Sequence, residues 1–281
     1  MKKAILYTIM FVVLQMAVQF LVGIAWTLAT TETLDVNGLT RQFQAVCMSP
    51  TVLVVTTGVF NVVTALLYVW RGWTPVSGRY AQTRPWGVLL WCAVAALGTL
   101  VPSVYVQELL PALPDTVSEQ LMQMMHVPGC FFVIAVLAPV AEELVFRGAV
   151  LRALLRWADR VPTRHRGQQG LTVRQWGAVA LSAVFFALVH GNPSQMPHAL
   201  LIGLLLGWLF ARTGSVLPGM VLHIVNNTAA YLLAVAYPSQ DIQLVDIFGG
   251  QQRMVVAALV FSLMVLLPSL LQLHQRMRRV G

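Results

Sequence analysis

The sequence predicts an all-α fold, a polytopic membrane bundle of about eight transmembrane helices. The first observation is composition: of 281 residues, 58% are hydrophobic and only 10% are charged, whereas soluble domains carry about 25% charged residues. The second is that the apolar residues are gathered into long runs, and about 17–25 apolar residues cross a bilayer as a helix. Together these observations exclude an ordinary soluble domain.

Eight apolar runs follow one another along the chain, without a soluble domain or an internal repeat between them. We therefore expect a single membrane domain over residues 1–281. The first run lacks a small-residue cleavage site at a suitable position, so we expect a retained helix rather than a removed signal peptide. The runs cover residues 4–29, 50–70, 86–107, 129–151, 175–192, 198–212, 215–237 and 253–273.

The cations that flank these runs predict the orientation. With a cytoplasmic N-terminus, the outside loops contain only Arg41 and Arg253, and by the positive-inside rule both termini are then cytoplasmic. We expect an integral protein of a bacterial inner (cytoplasmic) membrane. The net charge of +8 follows from this topology and suits contact with membrane lipid, so no nucleic-acid partner is expected. The inside segments carry Lys2, Lys3, Arg71, Arg79, Arg84, Arg152, Arg156, Arg160, Arg164, Arg166, Arg174, Arg212, Arg276, Arg278 and Arg279.

The stretch VLAPVAEELVFRGAV places three ionisable residues inside the fourth run. Glu143 and Arg147 are four positions apart and share a helix face, so an ion pair between them would reduce the cost of burying both. Glu142 lies about 100° around the helix and cannot share that partner equally. A carboxylate without a cation in apolar surroundings suits general-base chemistry. The alternative is that all three charges only hold helices together.

Two further polar pairs lie on later runs. Phe186 and His190 are four positions apart in FFALVHGN, and share a helix face. His223 and Asn227 have the same spacing in LPGMVLHIVNNTAAYLL. Taken singly, a histidine at a helix end can be a capping or packing residue, and polar residues in spans commonly form interhelical hydrogen bonds.

Taken together, these polar residues indicate hydrolysis. Polar groups on separate apolar helices are expected to turn inward, toward one another or a wet cavity. A carboxylate and an imidazole can share a water and remove its proton, while a second imidazole and a carboxamide can donate to the oxyanion of an attacked carbonyl. This set of groups is sufficient to cleave a peptide bond without a covalent intermediate.

The three stretches EELVFR, FALVH and HIVNN resemble the EExxxR, FxxxH and HxxxN/D motifs of the CPBP family, also called the Abi family. That family includes the type II CAAX prenyl proteases. The motifs occur in family order between Glu142 and Asn227, each on an apolar run, and the key positions all agree. Outside this region the chain is similar to the family only in having membrane spans.

The resemblance implies an intramembrane endopeptidase with a catalytic cavity and a catalytic core over residues 129–237. It assigns water activation to Glu142, helped by His190, and oxyanion stabilisation to His223 and Asn227. It assigns support of the site to Glu143, Arg147 and Phe186. The implied substrate is a membrane-associated peptide or protein of the CAAX type, with or without a prenyl group.

The depth of His190 is the one difficulty for this arrangement. If its helix starts at Gln175, His190 lies nearer the outer side, whereas Glu142 and His223 lie nearer the cytoplasmic side. Either that helix starts deeper, or GNPSQMP is a non-helical segment buried at membrane depth, which is allowed where it lines a cavity. We expect the second arrangement.

A metal-free mechanism is favoured over a zinc mechanism. Two histidines and a carboxylate are a standard catalytic zinc set, so the alternative is a zinc ion on Glu142, His190 and His223. HExxH is absent, and the His223–Asn227 pair suits an oxyanion clamp better, since a carboxamide is a poor zinc ligand. The three scattered cysteines, Cys47, Cys92 and Cys130, support neither a disulfide framework nor a cysteine metal site.

Two alternatives from other functional classes stay open. A non-catalytic immunity or scaffold protein of the same fold would keep its phenotype after Glu142→Ala if it still folds. A proton-coupled transporter would use Glu142 and the histidines as a relay and would show repeats, of which the sequence has none.

Overall fold

The computed structural model describes residues 1–31, 36–75, 78–159, 170–238 and 242–277. Within these ranges all regular structure is helical, which confirms the all-α prediction. Five of the cations that predict the orientation, Arg160, Arg164, Arg166, Arg278 and Arg279, lie outside the described residues.

The helices follow the predicted runs closely, with short amphipathic or connecting helices between them. The first group is α1 (Lys2–Thr30), α2 (Val36–Met48), α3 (Pro50–Trp70), α4 (Gly78–Gln82), α5 (Trp86–Leu109) and α6 (Ser118–Met125). The central group is α7 (Cys130–Phe132), π1 (Val133–Leu137), α8 (Ala138–Glu143), π2 (Leu144–Leu151) and α9 (Arg152–Ala158). The last group is α10 (Val173–Leu188), α11 (Met196–Thr213), α12 (Leu217–Ala236), α13 (Leu244–Ile247) and α14 (Gln252–Arg276).

Six of these helices, among the residues described, are long and apolar enough to cross a bilayer: α1, α3, α5, α11, α12 and α14. The chain is therefore an integral membrane protein. The fifth predicted run forms α10, which has only 16 residues and rises about 24 Å, less than the ~30 Å of a hydrocarbon core. The fourth run forms consecutive α and π segments. The predicted count of eight spans is thus approximate.

The segments from α7 to α9 follow one another without a break, and we call them the segmented helix. Its π turns widen the backbone, and side chains from other elements bond to carbonyl oxygens there. Thr74 donates to the carbonyl oxygen of Leu144, and Ser182 donates to that of Phe146 at 3.0 Å. π segments within α-helices frequently mark functional sites; here Arg147 lies in π2, directly after Glu142 and Glu143 at the end of α8.

A chain of aromatic rings connects α1 to this region. Phe11 packs edge-on against Phe60 and Phe146, with centroid distances of 5.0 and 5.3 Å. Phe146 in turn packs against Phe186 of α10 at 5.3 Å. These rings are all buried, so the EELVFR motif lies in a dry, tightly packed centre.

The end of α10 fixes where His190 lies. The helix starts at Val173 rather than Gln175, behind a capping box made by Thr172, and it ends at Leu188. Residues 189–195 are not helical, because Gly191 has a φ of +64° and the following Asn-Pro pair disfavours helix. The predicted non-helical segment is therefore present, although its last two predicted residues already belong to α11.

Candidate active site

Glu143 and Arg147 form the predicted ion pair. Nη1 of Arg147 lies 2.9 Å from Oε1 of Glu143, and the side chains of Arg147 and Glu143 are 1% and 0% exposed, respectively. A second guanidinium nitrogen of Arg147 donates to the carbonyl oxygen of Gly203 at 3.3 Å. The guanidinium also lies 4.3 Å from the ring centroid of Phe186, which is a cation–π distance. The pair thereby joins the segmented helix to α10 and α11.

The other carboxylate oxygen of Glu143 faces the first turn of α12. A Cβ added at Gly219 would lie 2.5 Å from Oε2 of Glu143, so only glycine leaves room for this oxygen. The N-terminal end of a helix carries partial positive charge and favours a carboxylate. The position of Glu143 therefore depends on both a guanidinium and a helix terminus.

His223 lies between the two glutamates. Its Nδ1 is 3.2 Å from Oε1 of Glu143, and its Nε2 is 3.6 Å from Oε2 of Glu142. A proton on Nδ1 can be donated to the Glu143 carboxylate, which orients the ring with Nε2 toward Glu142. Glu143 thus positions His223 as well as Arg147, a second role that helix-face reasoning from the sequence does not reveal.

Glu142 is the accessible member of this cluster. Its side chain is 20% exposed, against 5% for His223 and 0% for Glu143. It shares no ion pair with Arg147 in the described structure, which agrees with the helix-face argument. A carboxylate that is reachable by solvent and backed by buried polar groups is suited to binding and deprotonating a water.

His190 lies next to this cluster, on the other side of Phe186. The ring centroids of Phe186 and His190 are 4.9 Å apart, and those of Phe186 and His223 are 5.7 Å apart. Nδ1 of His190 is 2.8 Å from the carbonyl oxygen of Phe186, and since a carbonyl only accepts, Nδ1 carries the proton. Nε2 of a neutral His190 is then a free base. Phe186 itself separates and orients both imidazoles.

The segment after His190 is held by the loop that follows the C-terminal end of α5. Oδ1 of Asp115 accepts from the side chain of Asn192 at 3.2 Å, and Oδ2 accepts from the Ser194 hydroxyl at 2.9 Å. Asn192 accepts in return from the backbone of Thr116, and Gln107 donates to the carbonyl oxygen of Ser194 at 2.7 Å. We call these contacts the Asp115 clamp.

Hydrogen bonds outweigh burial at Asp115. Burial acts to raise the pKa of this carboxyl, but hydrogen bonds from Ser118, Ser194 and the backbone of Val117 hold the pKa well below its usual range. The carboxylate is therefore ionised, and able to accept all of these bonds, at every pH near neutral. No sequence motif indicated this residue, because its partners lie far away in the chain.

Asn227 contacts the segmented helix from α12. Its side-chain amide donates to the carbonyl oxygen of Ile134, in π1, at 3.3 Å. A carboxamide carries two N–H donors, so one remains for a ligand. Among the predicted catalytic residues, Glu142 and His223 are in direct contact. His190 approaches them through the ring of Phe186, and Asn227 lies on α12, the helix that carries His223.

A buried polar pair beside the cluster was not predicted. The side-chain amide of Asn226 lies 3.3 Å from Nε2 of His198 on α11, and Asn226 is 2% exposed. The sequence does indicate His198, since an ionisable residue inside an apolar run is by default a candidate functional residue. His198 was missed because it belongs to none of the three motifs.

The choice between a metal-free and a zinc mechanism stays a prediction. Within the described residues, no group of three or more histidine, cysteine, aspartate or glutamate side chains is arranged to hold a metal ion. Nδ1 of His190 contacts the carbonyl oxygen of Phe186 and Nδ1 of His223 contacts Glu143, and contacts of this kind are compatible with either mechanism, since metal-binding histidines commonly make them as well. We derive no step through a metal.

Two cavities are present at opposite ends of α5, and neither includes Glu142. The larger has a volume of about 580 Å³ and lies where α5 begins, beside the end of α14. The smaller, about 250 Å³, lies between the C-terminal end of α5 and Ser194. The predicted catalytic cavity around Glu142 therefore stays a prediction.

Residues 125–229 match the family model described as type II CAAX prenyl endopeptidase Rce1-like. The matched range contains every residue predicted to be catalytic or to support the site, and it confirms the resemblance drawn from the three motifs. The family is one of proteases, which supports a peptidase function. No curated protein and no solved structure matches the chain significantly.

Proposed function

We propose that the protein is an intramembrane endopeptidase that hydrolyses a peptide bond of a membrane-associated substrate of the CAAX type, using water activated by Glu142. The observation that carries the proposal is the cluster itself. One carboxylate, Glu142, is 20% exposed and lies 3.6 Å from an imidazole that is held by a second, fully buried carboxylate. A purely structural Glu143–Arg147 ion pair would not need Glu142.

Glu142 begins the reaction as the general base. It takes a proton from a water molecule, and the resulting hydroxide attacks the carbonyl carbon of the scissile peptide bond. Nε2 of His190 is free to accept a second hydrogen bond from that water, since its Nδ1 proton is held by the carbonyl oxygen of Phe186. A positioned general base of this kind contributes about 10²–10⁴-fold to the rate.

The oxyanion that forms receives hydrogen bonds from α12. Asn227 donates through the amide hydrogen that is not bonded to Ile134. His223 can donate from Nε2 when both ring nitrogens are protonated, because its Nδ1 proton is directed to Glu143. Donors aimed at an oxyanion in a dry site are each worth about 10²–10³-fold in rate.

The tetrahedral intermediate then collapses. The C–N bond breaks, the oxyanion returns its electron pair to the carbonyl, and Glu142 gives the proton it took from water to the leaving nitrogen. The products are a carboxylic acid and an amine, and Glu142 is again ionised. No metal and no covalent intermediate is needed, so we propose a glutamate-type rather than a metalloprotease mechanism.

The orientation and substrate form part of the same proposal. The distribution of lysine and arginine supports cytoplasmic termini, and we propose location in a bacterial inner membrane. The substrate is a peptide or protein already at the membrane, with or without a prenyl group. The apolar spans found among the described residues suit a substrate that arrives from the bilayer.

The test is cleavage of a quenched-fluorescent CAAX peptide, with and without a prenyl group, by purified protein. Wild type is compared with Glu142→Ala and with Glu119→Gln, an exposed carboxylate on α6. We expect cleavage by wild type and Glu119→Gln, and a loss of about 10²–10⁴-fold for Glu142→Ala. Exhaustive chelation should leave the wild-type rate unchanged.

The other outcomes each overturn a defined part of the proposal. Loss of activity with chelator and recovery with zinc would replace the glutamate mechanism by a metal one. Equal cleavage by wild type and Glu142→Ala would remove Glu142 from catalysis. No cleavage across a wider peptide panel, with a phenotype that survives Glu142→Ala, would favour the non-catalytic scaffold.

A further inference from the structure

The larger cavity lies apart from the candidate active site. Its volume is about 580 Å³, and it is bordered by α4, the turn into α5, and the last turn of α14. None of these elements carries a residue of the EELVFR, FALVH or HIVNN motifs. Under the predicted orientation the cavity opens at the cytoplasmic membrane surface. Its wall combines Tyr80, Thr83, Arg84, Pro85, Gly87, Val88, Gln275 and Arg276.

Two cations line this cavity without a carboxylate to neutralise them. Among the described residues, all ion pairs belong to the Glu142–Glu143–Arg147–His223 cluster, so neither Arg84 nor Arg276 has one. Arg276 is oriented by a hydrogen bond from its Nε to the side chain of Gln272 at 2.8 Å. This bond leaves both terminal guanidinium nitrogens of Arg276 as donors toward the cavity.

The backbone around both arginines is arranged for close approach. A Cβ added at Gly87 would lie 3.2 Å from Nη1 of Arg276, so the absence of a side chain at Gly87 lets the guanidinium lie against α5. Arg84 has a φ of +51° and is the one non-glycine residue with positive φ in the described chain. Strained backbone of this kind is found at ligand-binding sites. At Arg84 the positive φ fixes the direction in which the side chain projects from the backbone.

A neutral donor completes the wall. Tyr80 is 5% exposed, and its hydroxyl has no hydrogen-bond partner among the described residues. Burial raises the pKa of Tyr80 to about 12, so the phenol stays protonated and can donate. The cavity thus presents two guanidinium groups and a phenol, and none of its lining residues is acidic.

We propose that this cavity binds the phosphate group of an anionic phospholipid headgroup. Guanidinium groups match phosphate oxygens with paired N–H donors, and basic pockets between helices at the cytoplasmic surface suit anionic headgroups. Trp86, which begins α5 beside the cavity, is 69% exposed, and tryptophan is enriched at the level of the headgroups. A free inorganic phosphate has the same chemistry and would be the other source of the ligand.

The test measures binding rather than proteolysis. Purified protein in a neutral detergent is titrated with phosphatidylglycerol, with phosphatidylcholine and with inorganic phosphate. Bound lipid is counted by native mass spectrometry, and the unfolding midpoint is recorded. The variants are Arg84→Gln, Arg276→Gln and their combination, and the matched control is Arg79→Gln, which lies on α4 at the same end but does not line the cavity.

We expect phosphatidylglycerol to bind and raise the unfolding midpoint of wild type and Arg79→Gln, with phosphatidylcholine much weaker. Each cavity substitution should weaken binding about fivefold. Saturation by inorganic phosphate alone, lost in the same variants, would keep the phosphate site and assign it to a free anion. Unchanged phosphatidylglycerol binding in the double variant would overturn the proposal.

A second variant keeps the test informative if the double variant does not fold. Gly87→Ala keeps both arginines but displaces the Arg276 guanidinium, and should weaken phosphatidylglycerol binding severalfold. Gly177→Ala, on a helix face with nothing within 4 Å of the new Cβ, should not. Equal binding by these two alanine variants would contradict the proposed site.

Discussion

The two halves of the candidate active site are held by different means. Glu143, Arg147 and His223 lie on packed helices, with side chains 0%, 1% and 5% exposed. His190 instead follows the end of α10, in a non-helical segment whose Asn192 and Ser194 side chains donate hydrogen bonds to the exposed Asp115. One half is a buried ionic cluster, and the other is a partly buried loop held by an exposed carboxylate.

This difference separates two kinds of contribution. Removing one member of a buried ion pair leaves an uncompensated charge and costs about 3–5 kcal/mol, so the cluster should govern whether the protein folds. Hydrogen bonds at an exposed carboxylate contribute much less to folding, because water competes for the same donors. The Asp115 clamp should therefore affect the position of His190 more than the stability of the helix bundle. Substitutions in the two halves should differ accordingly.

The largest effect is expected from Glu143→Gln. The change removes the charge that faces Arg147 at 2.9 Å and His223 at 3.2 Å, and leaves a buried guanidinium without its carboxylate. The free energy of unfolding should fall by about 3–5 kcal/mol, and cleavage should fall with it. Denaturant unfolding in detergent micelles measures the first quantity.

The double variant Glu143→Gln/Arg147→Gln distinguishes a charge effect from a packing effect. If the loss comes from the unpaired guanidinium, the double variant should be more stable than Glu143→Gln alone, since the two substitutions are coupled. If the loss of stability in the double variant equals the sum of the losses in the two single variants, the buried-pair account is contradicted.

A smaller loss is expected from Gly219→Ala, which leaves every charged group in place. The new Cβ would come within 2.5 Å of Oε2 of Glu143, so the carboxylate must shift or α12 must move. Overpacking of this kind costs about 1–3 kcal/mol. Gly177→Ala is the matched control, because nothing lies within 4 Å of its Cβ, and it should stabilise its helix by up to about 1 kcal/mol. Equal free energies of unfolding for Gly219→Ala and Gly177→Ala would show that Gly219 does not confine Oε2 of Glu143.

The sequence predicted the cluster better than the clamp, and the reason is physical. Four-residue spacing on one helix brings Glu143 and Arg147 together whatever the rest of the fold does, and a charged residue inside an apolar run stands out in composition alone. The same reasoning extended to Glu142 and His223, because intramembrane polar groups must find one another. The helix boundaries followed from apolar run length, within a few residues.

The features that were not predicted from the sequence mostly depend on tertiary contacts. Asp115 and Ser194 are far apart in the chain and lie in short polar stretches that resemble any loop, so nothing local connects them. The π turns of the segmented helix are equally hidden, since VAEELVFRGAV reads as an ordinary apolar helix. The second contact of Glu143, to His223, required the relative rotation of two helices. His198 is different, because it was visible in the sequence and fell outside the motifs.

The smallest effect on folding, and the sharpest test of the comparison, is expected from Asp115→Asn. The substitution keeps the shape of the side chain but removes the charge that accepts bonds from Asn192 and Ser194. The unfolding midpoint should change little, whereas kcat/KM should fall roughly threefold to tenfold, mainly through kcat, because His190 loses its fixed position. Asp246→Asn, in the short helix α13, is the control and should leave kcat/KM unchanged.

The pH dependence of stability provides a second readout for the same residue. Because the pKa of Asp115 is lower in the folded protein than its usual value, its contribution is fully present above the unfolded-state pKa of about 3.9. It is lost as the pH falls from there through the folded-state pKa. The stability difference between wild type and Asp115→Asn should thus be constant from neutral pH down to about 4 and shrink only below it. If this stability difference already shrinks between about pH 7 and 5, the titrating group is not Asp115. The Asp115 clamp would then not be centred on this carboxylate.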